Sequence, residues 1–188
     1  FLVFLSASLG ILAKNESKFY AVLFNQAVLG LGLGILGLYI ASRLNYKFWR
    51  KYSFWIFLAS IILTLLVFVP GLGFSHGGAK RWIEIGSFSF QPVEFLKFGF
   101  IIYFSAWLSA AKKKTQSFKW SVLPFLILLL GIALILFKQP DTKSFILILI
   151  AGLAMIFVSG VPWKYIIGVI LAAIIGFMIL VYLKPYLL

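Results

Sequence analysis

The sequence has no cysteine, a single histidine and only four acidic residues among its 188. The missing cysteines exclude disulfides, thiolate metal sites and cysteine nucleophiles, and leave the redox compartment open. His76 stands in a glycine-rich stretch with no second histidine or cysteine, so it reads as a loop residue and not as a metal ligand. No Ser/His/Asp arrangement and no nucleophile elbow is present. Charged residues make up 11% against 63% hydrophobic, and the mean hydropathy is +1.11. A soluble chain runs at about half apolar and a quarter charged. This balance leaves no room for a sizeable soluble domain and predicts one integral membrane domain over residues 1–188.

Charged interruptions divide the apolar sequence into seven segments: Phe1–Ala13, Tyr20–Ser42, Tyr52–Val69, Gln91–Ala111, Trp120–Phe137, Ser144–Ser159 and Trp163–Leu183. Most are near the about 20 residues that a membrane helix needs, while Ser144–Ser159 is short unless it begins earlier, near Pro140. Lipid offers the backbone no hydrogen-bond partners, so all seven are expected to be helices. The opening run lacks the basic start of a signal peptide and is not preceded by Met, and reads as the end of a first membrane helix. The expected fold is therefore all-α, a polytopic transmembrane bundle with about seven helices present and truncated at both ends.

Lys plus Arg number 17. Were they clustered on a polar face they would suggest nucleic acid, but they fall between apolar runs and read instead as topology and contact with anionic membrane lipid. One set of alternate loops holds Arg43, Lys47, Arg50, Lys51, Lys112, Lys113, Lys114, Lys119 and Lys164, with no acid. The other holds Lys14, Lys18, Lys80, Arg81, Lys138, Lys143 and Lys184, offset by Glu16, Glu84 and Asp141. The first set is placed inside. That puts the segment Pro70–Phe90 and the Lys138–Lys143 turn on the outer face.

Glu94 and Lys97 belong to neither set. Both fall in the segment that opens at Gln91, with Lys97 about 9 Å below its start. A charge at such depth is costly and faces a partner, a wet cavity or the bundle interior. Three residues apart, the two share a helix face, so a structural pair with Lys97 snorkelling outward is one reading and a polar pocket the other. Gln139-Pro140-Asp141 opens its segment much as Gln91-Pro92-Val93-Glu94 opens the earlier one, with proline in the first turn and an acid at the positive end of the helix dipole. Two such starts at one face, with Lys80, Arg81, Lys97, Lys138 and Lys143 around them, form a candidate site for a phosphorylated headgroup. The segment Gly71–Phe90 can fold back on the membrane surface, with Trp82, Ile83 and Ile85 as interfacial anchors, while Arg81 binds phosphate, holds an acid or faces headgroups. Gly30, Gly32, Gly34 and Gly37 echo a nucleotide-binding loop but lie within an apolar helix with no preceding strand.

The run Gly78-Ala79-Lys80-Arg81-Trp82-Ile83, followed by Phe88-Ser89-Phe90-Gln91-Pro92-Val93-Glu94-Phe95-Leu96-Lys97, closely resembles the signature of the FtsW/RodA/SpoVE family, the SEDS proteins. Lys138-Gln139-Pro140-Asp141-Thr142 resembles that family's Gln-Pro-Asp-Leu-Gly-Thr motif, although Lys143 and Ser144 depart from its continuation. Ser6-Ala7-Ser8 and Asn25-Gln26 also agree with the pattern. The resemblance implies a multi-pass protein of the bacterial cytoplasmic (inner) membrane that polymerises lipid II during division or elongation, releasing a polyprenyl diphosphate. It implies a class B penicillin-binding protein as partner, and no nucleic acid. No cofactor is called for, a divalent cation being left open. By resemblance Lys97 and Asp141 form a buried polar pair, and Arg81 lies near the substrate path. The family's proposed general base lies in an outer loop after the seventh helix, so it is expected beyond Leu188 and the fragment is expected to be inactive.

Three functions compete. In a lipid II glycosyltransferase, Lys80, Arg81, Gln91, Glu94, Lys97, Gln139 and Asp141 bind or shape the substrate site. In a lipid II flippase, inverted repeats would be expected, and two Gln-Pro starts facing one side argue against inversion. In a membrane scaffold of the division machinery, the same charges would govern assembly alone.

Overall fold

A hydrophobic chain that must satisfy its own backbone hydrogen bonds folds, in this computed structural model, into helices wherever the apolar runs are long. The structure describes residues 30–76, 79–85 and 88–183. The expected helix Phe1–Ala13 and the first ten residues of Tyr20–Ser42 lie outside the described residues. Six α-helices are described: α1 (Leu33–Arg43), α2 (Tyr46–Leu65), α3 (Pro92–Ala110), α4 (Phe118–Lys138), α5 (Thr142–Val158) and α6 (Trp163–Leu183). Among them α2 with its 3₁₀ extension Leu66–Phe68, α3 and α4 are long and apolar enough to cross a membrane. The chain is a membrane protein. It separates into two compact units, Phe1–Phe48 and Trp49–Leu188, and the second holds α3 to α6 and all but the first turn of α2.

The helix α2 begins six residues before the expected Tyr52, taking in Lys47, Arg50 and Lys51 as its first turns. Side-chain stems of this kind lie along an apolar helix while their charges stay outside it. The short segment does begin earlier than Ser144, at Thr142, with Asp141 as its N-cap.

The segment expected as a loop is a three-stranded antiparallel sheet in the order β1 (Gly73–His76), β2 (Ala79–Ile85), β3 (Phe88–Phe90). Hydrophobic period over so short a span says little. Alternation, however, is present in β2: Arg81 is half-buried and Ile83 buried, while Lys80 and Trp82 face outward. Ile83 thus packs inside the protein and does not serve as the interfacial anchor expected of it. The sheet is fixed by pairing Phe74 with Trp82 and Ile83 with Phe90, with a bulge between Phe74 and Ser75. It rests against the 3₁₀ turn, where Gly73 lies so close to the Val67 carbonyl that a Cβ would collide with it.

The core runs along α3, α4 and α5. Phe100, Phe104 and Phe125 are fully buried and stacked or tilted on one another, with Leu96, Ile132, Leu136, Ile148 and Ile156 around them. Glycine permits two close approaches. The Phe125 ring occupies the place a Cβ of Gly152 would take, and a Cβ on Gly99 would lie 2.5 Å from Ser60 Oγ and 3.2 Å from Phe57 Cα. Opposite Gly99, α2 presents Ser53, Phe57, Ser60 and Thr64, all buried on one face. Their hydroxyls donate back to main-chain carbonyls of the same helix at 2.7–3.0 Å, so burial leaves none unpaired. Gly99→Val is expected to lower unfolding stability in detergent by about 1–3 kcal/mol through overpacking. Gly168→Ala on α6, where a Cβ meets nothing within 4 Å, is expected to leave it unchanged or slightly raised. Equal thermal midpoints for Gly99→Val and wild type would contradict this packing.

Candidate functional site

At the sheet end, four helix termini meet: the end of α2, the start of α3, and the end of α4 with the start of α5 across their turn. Helix ends leave carbonyls and amides without intrahelical partners, and here side chains supply them. Gln139, 1% exposed, donates from Nε2 to the Thr64 carbonyl at 3.0 Å, tying the α4–α5 turn to the end of α2. Its own carbonyl accepts from Arg81 Nε at 3.1 Å, and Arg81 Nη2 donates to the Pro140 carbonyl. The alternation of β2 aims Arg81 at this turn, and the planar guanidinium grips two successive carbonyls.

Asp141, 4% exposed, is held by neutral donors. Its Oδ1 accepts from the Ser144 amide at 3.3 Å, capping α5, and its Oδ2 accepts from Gln91 Nε2 at 3.4 Å. A carboxylate at this position also lies at the positive end of the α5 dipole. Gln91 is itself the residue before Pro92 at the start of α3, so the two Gln-Pro starts are joined directly. The departure at Lys143 and Ser144 leaves the helix start intact, because the cap uses the Ser144 main chain.

The expected Lys97–Asp141 pair is not formed. Lys97 Nζ lies 2.7 Å from Glu94 Oε2 and 2.8 Å from Oε1, one turn along α3, and among the described residues no ion pair involves Asp141. The physical reason is proximity: spacing of three on one helix places Glu94 within reach, and Asp141 is already satisfied. The Lys97 side chain is 22% exposed and that of Glu94 58%, so this is a partly screened pair at the rim and not a buried one. Arg81, expected to take phosphate or an acid, instead takes main-chain carbonyls. Lys80, Lys138 and Lys143 are exposed, and no carboxylate pairs with them among the described residues.

Beside the turn an apolar groove of about 600 Å³ runs between α4, α5 and α6, lined by Leu129, Ala133, Leu149, Leu153 and Val169. Phe137 and Thr142 line it where it reaches the turn, next in sequence to Lys138 and Lys143. Sequence reading misses Thr64 as an anchor. The available signal is its place in the polar stripe Ser53, Ser60, Thr64 at helical spacing within an apolar run.

Fold and site together define a polytopic helical membrane protein in which a small sheet is bonded onto one end of the bundle. The family model described as "Cell cycle protein", FtsW/RodA/SpoVE, matches residues 1–188, and the chain belongs to that family. It is 33% identical over 181 residues to the probable peptidoglycan glycosyltransferase FtsW of Geobacter sp. (strain M18), covering 96% of this chain and 49% of that protein. It is 30% identical over 172 residues to the stage V sporulation protein E of Bacillus subtilis (strain 168), covering 92% and 46%. Among solved structures it matches Thermus thermophilus RodA with a TM-score of 0.68 and 26% identity over 88% of this chain and 52% of that one. It also matches a chain from work on structural coordination of polymerization and crosslinking by a peptidoglycan synthase complex, with a TM-score of 0.72 and 25% identity over 96% and 55%. The chain spans about half the length of the curated relatives it matches.

Gln139→Leu is expected to cost about 1–3 kcal/mol in detergent unfolding, because the Thr64 carbonyl loses its partner. Thr64→Val, which keeps that carbonyl, is expected to cost less. The reverse order would overturn the anchoring role. In double-mutant cycles of stability, Glu94→Gln with Lys97→Met is expected to show a coupling of about 0.2–1 kcal/mol, and Lys97→Met with Asp141→Asn to be additive. Strong coupling in the second cycle would restore the Lys97–Asp141 pair.

Proposed function

We propose that the full-length protein is a peptidoglycan glycosyltransferase that polymerises lipid II on the outer face of the bacterial cytoplasmic membrane, in company with a class B penicillin-binding protein. In this reaction a sugar hydroxyl of one lipid-linked unit attacks the anomeric carbon of another. The bond to the diphosphate breaks, polyprenyl diphosphate leaves, and the hydroxyl proton passes to a base. Two relatives' names support the reading, as does the peptidoglycan synthase complex among the structural matches. The observation that carries it is the apolar groove ending at a turn flanked by Lys138 and Lys143, a form suited to a long hydrocarbon tail with an anionic head.

In this reading Lys80, Lys138 and Lys143 attract the diphosphate. Arg81, Gln91, Gln139 and Asp141 are positioning residues that hold the turn on which two of these lysines stand. Glu94 and Lys97 form the rim. Asp141 is given no part as a base, since it is 4% exposed and caps α5. With protein level and fold unchanged, Lys138→Gln combined with Lys143→Gln is expected to reduce glycan polymer from purified lipid II about tenfold or more, as is Arg81→Ala through misplacement of the turn. Wild-type polymer yield in both variants would sink the proposal. Were partner assembly lost with polymerisation intact, the protein would be a scaffold instead.

A further inference from the structure

At the opposite end of the bundle, an open cleft of about 490 Å³ lies between the ends of α3 and α5. From α3 it is lined by Ser105, Ser109 and the buried Leu108, from α5 by Ala154 and Val158, and Lys112 stands where α3 has ended. Most polar groups around it are already used. Ser105 Oγ donates to the Ile102 carbonyl at 3.0 Å, Thr115 Oγ1 to that of Lys112 at 3.2 Å, and Ser159 Oγ to that of Ile156 at 2.8 Å. The Lys112 ammonium and the Ser109 hydroxyl, three residues apart, have no partner among the described residues.

Charge is segregated along this unit. Among the described residues Glu84, Glu94 and Asp141 all belong to the sheet end, whereas Arg50, Lys51, Lys112, Lys114, Lys119 and Lys164 belong to the end that holds the cleft. Lys114 is engaged over the Trp120 ring at 4.6 Å, which leaves Lys112 as the cation lining the cleft. A cleft that is apolar along its length and cationic at the membrane surface matches a lipid with an anionic head, and the surrounding field disfavours a head that also carries a quaternary ammonium. From Lys112 to Ser105 is about 10 Å by helical rise, which carries an acyl chain from the interface into the hydrocarbon layer.

We propose that this cleft is a binding site for one anionic glycerophospholipid, its phosphate on Lys112 Nζ and Ser109 Oγ and one acyl chain along Leu108, Ala154 and Val158. The site is separate from the sheet-end turn and goes beyond the catalytic reading. Native mass spectrometry of the full-length protein, released from nanodiscs of phosphatidylglycerol mixed with phosphatidylcholine, tests it. One phosphatidylglycerol is expected to be retained in preference to phosphatidylcholine. Lys112→Gln is expected to lower its retention about fivefold, the loss of one cation near an anionic lipid. Val158→Trp, which fills the groove, is expected to lower it as well, and Lys164→Gln to leave it unchanged. Unaltered retention in Lys112→Gln with a wild-type thermal midpoint, or equal retention of phosphatidylcholine, would overturn the proposal. So would displacement of the lipid by millimolar inorganic phosphate, which would mark a simple anion site. Efficient disulfide crosslinking of Ser109→Cys to a cysteine placed on another helix of the same chain would also overturn it, since the cleft would then be filled by protein.

Discussion

The side chain of Gln139 is buried in the apolar bundle, and its amide reaches across to the last turn of α2. An amide in such surroundings costs several kcal/mol unless it is hydrogen-bonded, and so does a helix-terminal carbonyl left without a donor. Each removes the other's penalty. The same residue's main-chain carbonyl receives Arg81, so one position joins α2, the α4–α5 turn and the sheet. A turn held from both sides in this way is tied to the helices that flank it, and it carries the main chain of the exposed Lys138 and Lys143.

Ionisable groups at this end divide into two kinds. Asp141 is buried and meets only neutral donors, a capped helix amide and the Gln91 side chain. Its charge is balanced by dipoles and needs no mobile cation, which leaves the neighbouring lysines unspent. Glu94 and Lys97, by contrast, neutralise each other where the helix rim meets solvent. An anionic ligand arriving at this end would therefore meet exposed cations without first displacing a structural partner. At the far end the described residues present cations without acids, and two of them, Lys114 and Lys164, lie over the Trp120 and Tyr165 rings.

Helices are legible because a membrane segment has one backbone solution: α3, α4 and α6 lie within about two residues of the apolar runs that announce them. The start of α2 is misplaced in a sequence reading because Lys47, Arg50 and Lys51 look like a loop yet are compatible with a helix whose charges face outward. The sheet is not legible. Seven residues of β2 with glycines on either side carry too little periodicity to outweigh the reading as an irregular loop, and their pairing with β1 and β3 is a tertiary fact. In the candidate site, residue type singles out Gln91, Gln139 and Asp141, and the structure brings them together with Arg81. Partner choice is not legible, since Lys97 has two carboxylates to choose from and distance along one helix decides in favour of Glu94.

The strand also explains why Lys80 and Arg81, adjacent and both cationic, have opposite surroundings. Side chains alternate across a sheet, so a slip of one residue would turn Arg81 outward and bring Lys80 against the helix ends. A lysine there offers a point charge on a flexible stem and could not grip two successive carbonyls with the planar fork that Arg81 uses. Register is therefore a requirement of the clamp. It is set from the other edge of the sheet, where Gly73 fits against the Val67 carbonyl with no room for a side chain, and Arg81 is the extra residue of the bulge between the Phe74–Trp82 and Ser75–Lys80 pairs. The glycine that admits close contact on β1 thus bears on which cation on β2, the half-buried Arg81, meets the helix ends and which, Lys80, is left exposed.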